Sequence, residues 1–327
     1  MFFLGCDGGS SKTEFILVNE EGNILSHNIY PSYNYGVIGR NAFRQSMHQA
    51  ILEVCNNAGV NTQEITHAVF GIPTLGELEE MDTTVPEIIG EVLPRERTTI
   101  VNDSVIGWSG SLSGQPGINV VSGTGSIAYG EDSYGNKARA GGWSVLFGDE
   151  GSCSWIGKKV LETFFKQSDG RMPRSAIYDI FKEHFKLTKK DIYFVGILCS
   201  GFQKKRSNIA MLQLLAEEAC KRGDPNMKHV YEEAASELAL LVKAVRSQLT
   251  FPQEKPVLVS YSGGLFKSGK LILDPFRKII YEMNMKLVEP KYPPIIGALA
   301  LEAGRYLQPN NYNYMLSQAY ANIQKTK

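Results

Sequence analysis

Two short glycine-rich turns, each set between apolar runs, constrain this chain more than any other feature. The first is Asp7-Gly8-Gly9-Ser10-Ser11-Lys12-Thr13, entered from Phe2-Phe3-Leu4-Gly5-Cys6 and left through Glu14-Phe15-Ile16-Leu17-Val18. The second is Ser122-Gly123-Thr124-Gly125-Ser126, entered from Ile118-Asn119-Val120-Val121 and left through Ile127-Ala128-Tyr129-Gly130. Strand, tight turn, strand predicts a hairpin, and the amides and hydroxyls exposed at such a turn can hold a phosphate. Glycine lets the backbone come close to phosphate oxygens, while Ser10, Ser11 and Thr13 offer hydroxyls. Lys12 either screens phosphate charge or is simply solvated. Gly-Gly-Ser-Ser would also suit an ordinary hairpin, so the weight lies on the pairing: two such turns, about a domain apart, predict a nucleotide held from both sides. Neither is a Walker A loop, because no G-x-x-x-x-G-K-[ST] is present.

The pattern around the turns repeats. After three strands joined by short turns, Phe43, Met47, Ile51 and Val54 or Cys55 share one face of a helix expected over 39–58. Buried strands follow at 68–72 and 99–102, and the plan restarts with strands at 118–122, 126–131 and about 136–140. Helices are expected near 175–185, 208–222 and 228–249 in a region broken by Pro173 and Pro225, then a late strand at 256–261 and a closing helix at 295–306. This is a diverged βββ-α-β repeat, and it predicts two like α/β domains with a cleft between them. The tail from Pro309 is the least predictable part.

Composition narrows the functional classes. Among 327 residues, 34 basic and 34 acidic side chains cancel, so no global field draws nucleic acid or an anionic membrane. The apolar opening stops at Asp7 and reads as a first strand rather than a signal peptide, and no apolar run reaches membrane-spanning length. The five cysteines, Cys6, Cys55, Cys153, Cys199 and Cys220, are scattered with no C-x-x-C, which argues against a disulfide framework or a zinc knuckle. A cytoplasmic protein is expected, with no nucleic-acid or membrane partner.

With Gly5 to Thr13, Tyr33-Asn34, Asn102-Asp103, Ser122 to Ser126, Gly141-Gly142-Trp143, Gly148-Asp149-Glu150-Gly151-Ser152 and Ser262-Gly263-Gly264-Leu265-Phe266 in this order, the chain resembles the sugar kinase, heat-shock and actin ATPase superfamily. Within it, the chain resembles the N-acetylglucosamine kinase type grouped with the BadF/BadG/BcrA/BcrD ATPases. The resemblance implies two ribonuclease-H-like (actin-like ATPase) α/β domains, over 1–116 and 117–293. A helix at about 294–308 would pack back on the first domain, and a helical insertion would lie in the second. It also implies ATP and Mg²⁺ as cofactors.

The site residues follow from that resemblance. Asp7 would hold Mg²⁺, a cation that keeps its waters and needs few protein ligands. Gly9, Ser10, Ser11, Lys12, Thr13, Gly123, Thr124, Gly125 and Ser126 would face the phosphates, with Gly263, Gly264 and Lys267 against the adenosine. Asp103 would be the general base, with a helix cap the lesser alternative for an Asp before a possible helix. Asn34, Thr74, Asp103, Gly142, Asp149 and Glu150 would line the sugar pocket, with Asp149 the better of the two adjacent acids. Cys6 and Cys153 read as small buried thiols.

The expected function is phosphorylation of the 6-hydroxyl of an amino sugar, N-acetylglucosamine first. N-acetylmuramic acid or glucosamine are the nearest alternatives, and an activator ATPase of a radical dehydratase or reductase is a more distant one. The long helices between 175 and 249 leave a homodimer open.

Overall fold

The computed structural model describes residues 1–144 and 146–325. It divides into two compact units, Met1–Gln115 with Glu289–Lys327, and Pro116–Val288. In the first unit lie β1 (Phe2–Gly8), β2 (Lys12–Asn19), β3 (Ile24–Pro31), β4 (His67–Ile72) and β5 (Thr98–Asn102), in the sheet order β3-β2-β1-β4-β5. The first three strands run antiparallel, and β4 and β5 lie parallel to β1. The second unit repeats this plan. β6 (Gly117–Ser122), β7 (Ser126–Glu131), β8 (Lys137–Gly141), β9 (Val257–Ser262) and β10 (Met285–Leu287) have the order β10-β9-β6-β7-β8, with the same pairing senses. Tight turns suffice for the antiparallel pairs, while each parallel pair needs a crossover, which is where the helices enter.

Alternation along the strands sorts the first unit's core into two layers. Leu4, Cys6, Phe15 and Leu17 face Phe43, Met47, Ile51, Val54 and Cys55 on the helix Arg40–Ala58, the stripe expected from spacing. Phe3, Ile16 and Val18 face the other way, onto Ile295, Ile296 and Leu299 of the helix Pro294–Ala303. The closing helix is shorter than expected and ends at Ala303. A second helix, Pro309–Lys325, takes up the tail that the sequence left without structure, burying Met315, Leu316, Ala319 and Ile323. Its apolar spacing was diluted by Asn and Tyr, so only packing reveals the stripe.

The second unit holds the helical insertion. Pro225 does not break a helix there but opens one, Pro225–Gln248, capped by Asp224, whose Oδ1 accepts from the amides of Asn226 (2.9 Å) and Met227 (3.2 Å). Proline at the first helical position loses no bond. The helix expected over 208–222 is two, Arg206–Met211 and Gln213–Lys221. Helix Glu79–Gly90, in the crossover from β4 to β5, and the edge strand β10 were both unanticipated. Among the described residues no helix is long and apolar enough to cross a membrane.

Candidate active site

In the first unit the ends of β1, β4 and β5 bring the chemistry-bearing residues together. Gly71 on β4 permits it: a Cβ there would come within 2.3 Å of Ile106, so glycine lets the helix Asp103–Leu112 press onto the sheet. Asn102, not Asp103, caps that helix. Its Oδ1 accepts from the amide (3.1 Å) and hydroxyl (2.7 Å) of Ser104, and its Nδ2 donates to the Leu75 carbonyl at 3.0 Å. The capping role open to Asp103 in the sequence thus falls on its neighbour. Asp103 is half-buried at the first helical position. Burial first, then the negative charges of Asp7 and Glu77, raise its carboxyl to about 7 against the pull of the Ser104 and Asp103 amides. A carboxyl in that range can take up a proton near neutral pH.

Asp7 is half-buried near the end of β1. Burial and the Glu14 charge lift it to about 6, with Lys12 opposing. Glu14 sits across the hairpin, paired in register with Asp7. Burial opposes its charge, yet hydrogen bonds from His27 (Nε2, 2.9 Å) and Lys12 win and hold it at about 2. Lys12 is therefore neither freely solvated nor aimed only at a phosphate: its ammonium is paired with Glu14. The turn itself is closed by the Gly9 amide on the Lys12 carbonyl at 2.8 Å, with Ser10 and Ser11 exposed.

Thr13 is 1% exposed, and its Oγ1 accepts from the Tyr33 amide at 3.0 Å, which braces the segment leading to Asn34. Asn34 is half-buried, and its side chain is not spent on capping the following turn. Thr74 has φ +65°, rare for a β-branched residue, and its hydroxyl donates to the Pro73 carbonyl at 2.6 Å.

The second unit brings two glycine turns side by side at the ends of β6 and β9. Gly263 has φ +104°, and a Cβ on it would lie 2.2 Å from the Ser122 carbonyl, so only glycine fits. Asn119 donates to the Ser262 hydroxyl at 3.1 Å and ties the two strand ends. The Gly123 amide closes its turn on the Gly125 carbonyl at 2.9 Å. The segment 149–153 is stitched beneath this hairpin. Ser122 Oγ donates to the Gly151 carbonyl (3.0 Å), Ser126 Oγ to the Glu150 carbonyl (2.7 Å), and the Cys153 amide to the Gly123 carbonyl (2.8 Å).

Asp149 is 4% exposed; one oxygen accepts from the Ser126 amide at 3.2 Å and the other from Arg206 at 2.7 Å. Glu150 is half-buried beside it, and Gly142 donates its amide to the Ser126 carbonyl at 2.9 Å. Thr124 is half-buried at the hairpin's tip and Lys267 is exposed on the turn Gly264–Ser268. Gly264 is open above its Cα, with nothing within 4 Å of an added Cβ.

The sequence offered no pointer to Arg206, or to the cluster of Gln213, Tyr231 and Glu217 that bonds Ser268 behind the glycine turn. Glu14 left a trace, as the one acid heading an apolar strand. Cys6 and Cys153 are buried, and burial raises both thiols, so they behave as packing residues.

Comparison with known proteins adds to this geometry. The family model described as the BadF/BadG/BcrA/BcrD ATPase family matches residues 4–303. An N-acetylmuramic acid/N-acetylglucosamine kinase of Clostridium acetobutylicum is 29% identical over 92% of this chain and 97% of its own. An N-acetyl-D-glucosamine kinase of Dictyostelium discoideum is 26% identical over 91% of this chain and 97% of its own. A Chromobacterium violaceum structure, provisionally assigned as an N-acetylglucosamine kinase, superimposes with a TM-score of 0.72 at 22% identity, covering 91% of this chain and 97% of that one. At that identity the likeness speaks to the fold, which is of the two-domain actin-like kind.

Proposed function

Because the chain belongs to the BadF/BadG/BcrA/BcrD ATPase family, we propose that it is an ATP-dependent kinase that phosphorylates the 6-hydroxyl of an amino sugar, N-acetylglucosamine first. The observation that carries the reading is topological. Glycine hairpins occupy the equivalent β1–β2 and β6–β7 positions of two sheets with the same strand order, and Asp103 is relieved of capping at the end of β5.

In this reading Asp103 accepts the proton of the sugar hydroxyl as its oxygen bonds to the γ-phosphorus. The bond from that phosphorus to the bridging oxygen breaks, ADP leaves with the electron pair, and Asp103 passes its proton to solvent. Phosphoryl transfer asks little covalent help of a protein, so positioning and charge neutralisation dominate. The turns Gly9 to Ser11 and Gly123 to Gly125 face the phosphate oxygens, the amides of Gly9 and Gly123 closing the turns themselves, with Thr13 and Ser126 beside them and Lys12 adding charge. Gly263, Gly264 and Lys267 border the adenosine. Asn34, Thr74, Gly142, Asp149 and Glu150 serve the sugar.

Asp7 fits as the holder of Mg²⁺. Its carboxyl lies where burial and Glu14 already disfavour its charge, an environment that a cation relieves. Mg²⁺ keeps several of its waters and needs few protein ligands, so a carboxylate at Asp7 suffices to anchor it. Bound there, Mg²⁺ would neutralise charge on the phosphates.

Purified protein should release ADP with Mg²⁺ and N-acetylglucosamine and form a sugar 6-phosphate, and chelation should abolish the release. N-acetylmuramic acid belongs in the same panel, because the Clostridium acetobutylicum relative is named for both sugars. Steady hydrolysis that no amino sugar stimulates would overturn the kinase reading in favour of an activator ATPase.

A further inference from the structure

The ion pair between Asp149 and Arg206 joins the helical insertion of the second unit to its glycine hairpin. Asp149 is 4% exposed and has φ +61°, a left-handed conformation that costs a non-glycine residue. It is held there by both oxygens: Oδ1 on the Ser126 amide at 3.2 Å, Oδ2 on Arg206 at 2.7 Å. The carboxylate lies directly beneath the hairpin, since a Cβ added to Gly125 would come within 2.8 Å of Oδ1. A carboxylate so enclosed is costly without a charged partner. Arg206, whose side chain is 49% exposed, is that partner.

Packing places Arg206. It opens the helix Arg206–Met211, which lies against Cys153–Ser168 so closely that a Cβ on Gly157 would fall 2.0 Å from the Ile209 carbonyl. The helix that begins at Cys153 is the one into which the 149–152 loop runs, with Ser152 accepting from the Trp155 amide at 3.1 Å as its cap. Loop, hairpin and Arg206 are therefore one braced unit.

We propose that Arg206 is a positioning residue for the nucleotide's phosphates, acting through Asp149 on the amides of the Ser122–Ser126 hairpin. The proposal deepens the kinase reading and rests on its assignment of that hairpin to phosphate. Asp149 here is a support of the hairpin, whatever contact it also makes to a sugar. A carboxylate offers about four lone-pair sites, so the two bonds leave acceptor capacity on it. Among the described residues Asp149 engages one guanidinium nitrogen, so a lysine should substitute in part, whereas an uncharged side chain of similar length should not.

The test is equilibrium titration of Mg·ADP onto the full chain, with no sugar present, for wild type, R206K, R206M, D149N and R206M/D149N. We expect R206M and D149N each to weaken binding at least tenfold and R206K to stay within about threefold. The double variant should be no worse than the poorer single, because the two residues act in series. In turnover, KM for ATP should rise in R206M more than KM for the sugar. Wild-type ADP affinity in R206M, or losses that add in the double variant, would overturn the proposal. Equal loss in R206K and R206M would do the same. A chain that binds no nucleotide overturns this inference and the kinase reading together. The expected Arg206 dependence without any sugar-stimulated turnover supports this inference and overturns the sugar reading alone.

Discussion

Replacing Asp103 by asparagine should move activity and stability in opposite directions. The carboxyl stands at about 7 in the folded chain against 3.8 for a free aspartate. Below 3.8 it is neutral whether folded or not; between 3.8 and about 7 the folded chain holds a proton that the unfolded chain lacks, so stability falls as pH rises. Above about 7 the full cost is present. At about 1.4 kcal/mol per pK unit the ceiling is about 4 kcal/mol, and because the group is half-buried rather than sealed, solvent screening brings it to about 2 kcal/mol. The asparagine side chain carries no such charge and keeps the shape. D103N should therefore melt several degrees above wild type at pH 8, with the gap shrinking steadily toward pH 5, on the order of 2–4 °C per kcal/mol. Loss of a positioned base costs about 10²–10⁴-fold in rate, while Mg·ADP affinity should stay within a few-fold. Thermal melts from pH 5 to 8 and coupled ADP-release kinetics make both measurements. A variant with more than a tenth of wild-type kcat would refute the base assignment. A melting gap that does not change with pH would refute the electrostatic account.

Other consequences are as direct. The rate at low substrate should rise with pH through a midpoint near or below about 7, because the base must be ionised, and E77Q should shift the midpoint downward by removing one of the charges that raise Asp103; an unmoved profile would separate Glu77 from the site. G263A forces a Cβ to within 2.2 Å of the Ser122 carbonyl at φ +104°, and should cost at least about 1–3 kcal/mol of stability and weaken nucleotide binding in a titration. N102A removes the cap of the Asp103 helix and leaves the Leu75 carbonyl without its donor, for about 0.5–2 kcal/mol in a denaturant melt. It should also lower kcat, since the cap is what leaves Asp103 to chemistry; an unchanged kcat would mean that the helix start holds without it.

Much of the candidate site's local structure was legible because its residues are close in sequence and their spacing is the message. The two glycine hairpins, the strand leading to Asn102-Asp103 and the stripe Phe43, Met47, Ile51, Val54 all depend on neighbours a few positions away, and periodicity reports such neighbours directly. The repeat was legible for the same reason, as two runs of the same pattern that became two sheets of the same order. Other features depend on partners far along the chain, and no local pattern carries those. Asn102 and Asp103 are both cap candidates, and Asn102, which caps, is also held by the Leu75 carbonyl 27 residues away. The pairing of Glu14 with His27 requires β2 and β3 to be in register. Asp149 reads as a sugar-pocket acid from its motif, yet its burial and its Arg206 partner, 57 residues away, exist only once the insertion has packed on the helix that follows it. The tail Pro309–Lys325 has a buried face only because Met315, Leu316, Ala319 and Ile323 join the cluster that holds Phe3, Ile16 and Val18. Sequence alone settled which residue types stand at the turns and which faces are apolar, because those are properties of short stretches of chain. Only the tertiary structure decided which side chains cap a helix, which carboxylates are paired and which are buried without a counter-charge, because burial and charge are set by what packs against a residue and not by what precedes it.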